Sequence, residues 1–142
     1  MIFLRRQERT RLLLQFDLSL LEKEAAHICH AHHCQTLKAP APGLVMVTIQ
    51  ESVEGDYFYA GEVLVTECKV TVDGIIGLGL VKGYDTRRAK ALAIIDAAFR
   101  ADFPEVKSIE GKLEAFKIDL EQSLNKEANS LAKTRVQFET IL

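Results

Sequence analysis

The run HICHAHHC, residues 27–34, gathers all four histidines of the chain and two of its three cysteines. Imidazole nitrogen and thiolate sulfur are the donors that zinc prefers, so the first chemistry to weigh is metal binding. On a helix, the pairs Cys29–His33, His30–Cys34, His27–His30 and His30–His33 fall three or four apart, close enough to chelate. A structural zinc site, however, draws four ligands from two segments, usually with Cys-x(2–4)-Cys spacing. A catalytic one wants three ligands backed by carboxylates. Here the spacing is Cys-x4-Cys, and no second ligand-rich segment exists. The run therefore reads as a helix C-terminus, where histidine interacts favourably with the negative end of the dipole. Cys29, His30, His33 and Cys34 stand as the alternative metal set.

Two other patterns bear on chemistry. GLGLVKG (residues 77–83) precedes a predicted helix, as a dinucleotide-binding loop would, but its spacing is G-x-G-x3-G and its glycines fall inside a hairpin. A simpler use of that junction is anion binding by Lys82, Arg87 and Arg88 beside the free amides of residues 86–88. Against it stands an ordinary first turn capped by Asp85 or Thr86, the reading preferred here. Carboxylates are plentiful at Glu51, Glu54, Asp56, Glu62 and Glu67, but none has a histidine or cysteine at a suggestive offset. No nucleophile motif and no cofactor loop emerges.

The elements that would position these groups are readable from periodicity and punctuation. Residues 4–15 read as a helix with Leu4, Leu12 and Leu13 buried, and a second helix, capped by Asp17 or Ser19, carries the histidine run. KAPAPG (residues 38–43) reads as a connector because proline neither propagates a helix nor donates to a sheet. From residue 44 to 82 the chain reads as an antiparallel sheet of three or more strands, with Asp73-Gly74 forming a type I′ hairpin turn. That turn sets Val72 opposite Ile75, Val70 opposite Gly77 and Cys68 opposite Gly79. One hairpin face then carries Cys68, Val70, Val72, Ile75 and Val81 around two glycines, which suggest either a closely packed helix or strand curvature. The other face places Ile76, Leu78 and Leu80 beside Glu67, Lys69 and Thr71. A helix follows from Asp85 to Pro104. An amphipathic helix then runs from Ser108 to about Lys133, carrying Ile109, Leu113, Phe116, Leu120 and Leu124. The tail RVQFETIL either prolongs it or forms an extended arm. The expected fold is α+β, in one domain spanning residues 1–142. Helices occupy residues 1–37, the sheet residues 44–82, and helices again residues 85–142.

Composition narrows the class. Eighteen basic residues against twenty acidic give a net charge of −2, without the basic excess of a generic nucleic-acid binder. An odd number of cysteines without disulfide-like spacing suits a reducing compartment. The start, MIFLRRQERTRLLLQF, lacks the apolar core of a signal peptide, and no stretch approaches a membrane span, so a cytosolic protein is expected.

The segments GLVMVTIQ, FYAGEVLVTECKVTVDG, GLGLVKGYD, AKALAIIDAAF and RVQFETIL, in that order, resemble the PhnG family of the bacterial carbon–phosphorus lyase system. The resemblance covers Gly43 to Phe99 and returns from Arg135 to Leu142. It departs from the family pattern at Gly83-Tyr84-Asp85, Arg88-Ala89-Lys90 and Ser52-Val53, where polar or glycine signatures are expected. The resemblance implies a cytosolic complex for phosphonate use with PhnH-, PhnI- and PhnJ-like subunits. It also implies a step, shared with PhnL, that replaces the adenine of ATP with methylphosphonate to give ribose 1-methylphosphonate 5-triphosphate. It assigns no catalytic residue and no cofactor to this chain. The rival expectations are a small metal-binding protein using residues 27–34 and a stand-alone homodimeric binding domain.

A partner surface is the remaining expectation. Ile76, Leu78 and Leu80 make the outer sheet face too apolar for plain solvent, and Val136, Phe138, Ile141 and Leu142 end the chain on apolar residues where most termini are polar. Both regions are expected to bind partner subunits, and the isolated chain is expected to self-associate.

Overall fold

The computed structural model describes residues 5–141, with side chains as far as residue 131. Among these residues the elements run α1 (Arg6–Leu13), α2 (Leu18–Ala31), β1 (Cys34–Gln50), β2 (Tyr57–Val72), β3 (Ile75–Lys82), α3 (Thr86–Ala101) and α4 (Val106–Ile141). The strands form one antiparallel sheet in the order β1-β2-β3, flanked in sequence by helices, which is the expected α+β architecture.

The hairpin follows from its turn. Asp73 and Gly74 adopt φ of 50° and 82°, the two positive angles that a type I′ turn requires. Val72 consequently faces Ile75, Val70 faces Gly77 and Cys68 faces Gly79, the expected register. Cys68, Val70, Val72 and Val81 are buried on the inner face, whereas Ile75, at the hairpin end of that face, is 38% exposed. Helix α3 covers them. A Cβ at Gly77 would lie 2.0 Å from the carbonyl oxygen of Ala93, and one at Gly79 would lie 1.9 Å from that of Ala89. The glycines are therefore there for the close approach of a helix, which settles the choice against simple strand curvature. That helix presents Ala89, Ala93 and Ala97, all buried, to the strand. Its first turn is capped by Asp85, whose side chain accepts from the amide of Arg88.

Leu12 and Leu13 of α1, Leu21, Ala25 and Ile28 of α2, and Val106, Ile109 and Leu113 of α4 complete the core. Leu4 lies outside the described residues. Asp17 occupies the N-cap position of α2 but its side chain makes no capping hydrogen bond.

Two boundaries differ from expectation. KAPAPG is not a connector: β1 begins at Cys34, so Pro40 and Pro42 lie within a strand. Strand β1 is at the sheet edge, and its ladder with β2 slips between Thr36 and Lys38 and again between Lys38 and Ala41. Proline is tolerated at edges and irregularities because only one side of the strand must donate. At the other end, α4 starts at Val106 and continues to Ile141 as 36 residues, so the tail prolongs the helix rather than forming an extended arm.

Candidate functional site

Helix α2 ends at Ala31, and His32 turns the chain into extended backbone at φ −134° before Cys34 opens β1. Only His27–His30 keeps its helical spacing. The pairs Cys29–His33, His30–Cys34 and His30–His33 do not share a helix face, because the backbone leaves the helix between their members. Cys29 and Cys34 instead pack against the core. Burial, followed by the hydrogen bond to Cys29, pushes the Cys34 thiol up to about 12. Among the described residues, the cluster of three whose donor atoms lie within 4.8 Å is Glu51, Glu54 and Asp56, all exposed at the β1–β2 turn. The set Cys29, His30, His33 and Cys34 does not converge in that way.

What the run does contribute is His32. Its Nδ1 lies 2.7 Å from Asp73 Oδ2 and its Nε2 lies 2.9 Å from Glu105 Oε2. The ring stacks on Phe103 at 3.8 Å, and the amide of His33 donates to Asp73 Oδ1 at 2.9 Å. An imidazole donates from both nitrogens only when protonated. The hydrogen bond to Glu105, then that to Asp73, accordingly raises the His32 pKa. Asp73 is lowered by the His33 amide and then by His32, and Glu105 is lowered by His32. The clamp ties the start of β1 to the β2–β3 turn and to the α3–α4 connection. Its partners are 41 and 73 residues distant, so spacing along the chain carried no sign of it.

Arg87 and Arg88, in the first turn of α3, have partners inside the chain. Arg88 Nη1 donates to the carbonyls of Phe16 at 2.7 Å and Leu14 at 3.3 Å, and its Nε reaches Asp85 at 3.2 Å. Arg87 pairs with Glu22. Thr66 Oγ1 donates to the Gly83 carbonyl at 2.7 Å and accepts from the Asp85 amide at 3.0 Å. Lys82 is exposed. The junction that sequence offered to an anion through Lys82, Arg87 and Arg88 is thus built as a capped, internally bonded turn.

The outer sheet face is as apolar and open as its register implied. Ile76, Leu78 and Leu80 are 48, 38 and 42% exposed. Beside them Glu67 pairs with Lys38 at 3.5 Å and with Lys69 at 3.8 Å, so the one carboxylate on this face is shared by two lysines. The strand beneath is anchored to α3 by side-chain hydrogen bonds. Asp96, on α3, accepts from the Leu78 amide at 2.9 Å while receiving Arg6 Nη2 at 2.6 Å and Arg9 Nη2 at 3.1 Å. Arg100 donates to the Ile76 carbonyl at 2.9 Å.

A second apolar region was not anticipated. Beyond the reach of β3, the arm formed by Leu44–Gln50 and Tyr57–Leu64 leaves Leu44, Met46, Phe58 and Tyr59 more than half exposed. Sequence marks this stretch as β-rich without marking it as uncovered. In the tail, the side chains of Val136, Phe138 and Ile141 and the whole of Leu142 lie outside the described residues.

Comparison with known proteins adds two findings. Residues 4–142 match the sequence profile of the family described as phosphonate metabolism protein PhnG. The chain is also 32% identical over 138 residues to the alpha-D-ribose 1-methylphosphonate 5-triphosphate synthase subunit PhnG of Rhizobium meliloti (strain 1021), covering 96% of this chain and 88% of that protein.

Proposed function

This chain belongs to the PhnG family of phosphonate metabolism proteins, and we propose from that premise that it is an accessory subunit of a multi-subunit synthase making ribose 1-methylphosphonate 5-triphosphate from ATP and methylphosphonate. The observation that carries the reading is the outer sheet face, where Ile76, Leu78 and Leu80 stand open on a strand fixed from below. An apolar patch on a strand anchored by side-chain hydrogen bonds, rimmed by paired charges, is a surface built to be covered. In this reading the chain's role is to assemble the synthase, and the catalytic groups come from its partners. The partners we propose are PhnH-, PhnI- and PhnJ-like chains, with a PhnL-like chain joining for the synthase step, in the cytoplasm. The whole of residues 1–142 acts as one domain. No helix among the described residues is long and apolar enough to cross a membrane.

The test is reconstitution. Purified partner subunits with ATP and methylphosphonate are expected to form ribose 1-methylphosphonate 5-triphosphate only when this chain is added. The chain alone is expected to form none. Full activity of the partners without it would overturn the reading.

A further inference from the structure

The arm of Leu44–Gln50 and Tyr57–Leu64 runs past the end of β3, whose ladder with β2 begins at Val65. At ~3.3 Å per residue it projects about 25 Å as a two-stranded ribbon, and such a ribbon is marginal in water without support. Both of its faces are apolar. Leu44, Met46 and Leu64 point to one side and are 65, 63 and 45% exposed, while Val45 and Val47 point to the other at 41 and 36%. Ile49, Tyr57, Phe58 and Tyr59 carry the exposed apolar surface on to the tip. Since an aromatic side chain alone covers some 150–250 Å², these residues together present roughly 900 Å². That matches the ~800 Å² per partner of a standard specific interface.

The two edges of the sheet are treated differently. On β3 the outward backbone is closed by α3: Asp96 accepts from the Leu78 amide and Arg100 donates to the Ile76 carbonyl. On β1, Pro40 and Pro42 remove donors, and the ladder is irregular from Thr36 to Ala41. From Gly43 to Gln50 there is no proline and no charge, and the slip between Val47 and Thr48 places its extra residue, Ala60, on β2 rather than on this edge. Among the described residues no side chain bonds to that stretch of backbone. Natural sheets block exposed edges with such devices, and an edge left unblocked is a site for strand addition.

We propose that the edge of β1 from Gly43 to Gln50 receives an extended, uncharged apolar strand from a different subunit of the synthase, seated in a groove of that subunit which also covers both faces of the arm. This rests on the assembly role above. The uncharged occupant follows from the arm itself, where Glu62 is the sole charged residue of Leu44–Gln50 and Tyr57–Leu64. A second copy does not fit the need. Paired edge to edge, two arms would widen the ribbon in its own plane and leave both apolar faces in water.

The test uses the full chain co-expressed with the remaining synthase subunits, with amide hydrogen exchange compared between complex and free chain. Outward-facing amides between Gly43 and Gln50 are expected to slow at least ~100-fold in the complex, as ladder amides do. Met46→Asp and Thr48→Pro, checked to keep the melting temperature of the free chain, are expected to lose co-purification, whereas Ala39→Asp on the proline-blocked half keeps it. If the complex forms but these amides exchange as in the free chain, the inference falls while the assembly role stands. If no complex forms, both fall. Equal protection in a homodimer of the isolated chain would place a second copy on the edge and overturn the inference.

Discussion

At His32 one imidazolium donates to two carboxylates, and this fixes the direction in which pH acts on stability. Its pKa is raised above the ordinary 6.5, so its contribution is full below that value and is lost as pH rises through the higher folded value. Asp73 and Glu105 are lowered from 3.8 and 4.5, so theirs is full above those values and is lost only on acidification through the lower folded ones. Stability from the clamp is therefore greatest between about pH 4.5 and about pH 6.5 and declines toward alkaline pH. His32→Gln is expected to melt below wild type at about pH 6, with a gap that narrows as the pH is raised to about 8.5. Melting curves at the two pH values check this, and a gap that stays constant would contradict it. Asp96 is a second residue with reach beyond its neighbours: side-chain exposure of 8% leaves it little water, and Arg6, Arg9 and the Leu78 amide all depend on it. Asp96→Ala strands those donors and is expected to cost about 3 kcal/mol in urea unfolding.

The hairpin register and the helix that follows it were the most legible features of the chain, because their determinants are local, while the close packing of the two was one of two readings left open. Asp73-Gly74 sets the register, the register puts Gly77 and Gly79 on one face, and Asp85 marks the helix that covers them. Gly79→Val drives a side chain into the Ala89 carbonyl, so it is expected to lose at least ~3 kcal/mol or to unfold the protein. Gly43→Ala meets nothing within 4 Å and is expected to stay within about 1 kcal/mol of wild type. Urea denaturation of the pair separates close packing from a general intolerance of glycine replacement. Other features were illegible for equally physical reasons. Proline rules differ between edge and central strands, and nothing near Pro40 and Pro42 states that β1 is an edge. The histidine run was read as one helix because the turn at His32 is imposed by Asp73 and Glu105, which arrive from remote segments. The Leu44–Gln50 run is β-rich whether covered or bare, so its exposure could not be seen.

On the scale of the whole molecule, the fold is a platform: helices on one side fix a sheet whose other side stays open. The central claim is that this open face joins the chain to its partner subunits. Leu78 is the residue to change, since its amide is held by Asp96 whatever its side chain, and its side chain faces Lys69 across the hairpin. Leu78→Asp is expected to keep the free chain's stability within ~0.5 kcal/mol, as surface substitutions do. Deletion of residues 135–142 tests the contribution of the tail separately. The decisive measurement is affinity co-purification of wild type and Leu78→Asp with a PhnI-like subunit expressed alongside. Retention of the partner by wild type and its loss from a folded Leu78→Asp is the predicted result; equal retention by both would contradict the account.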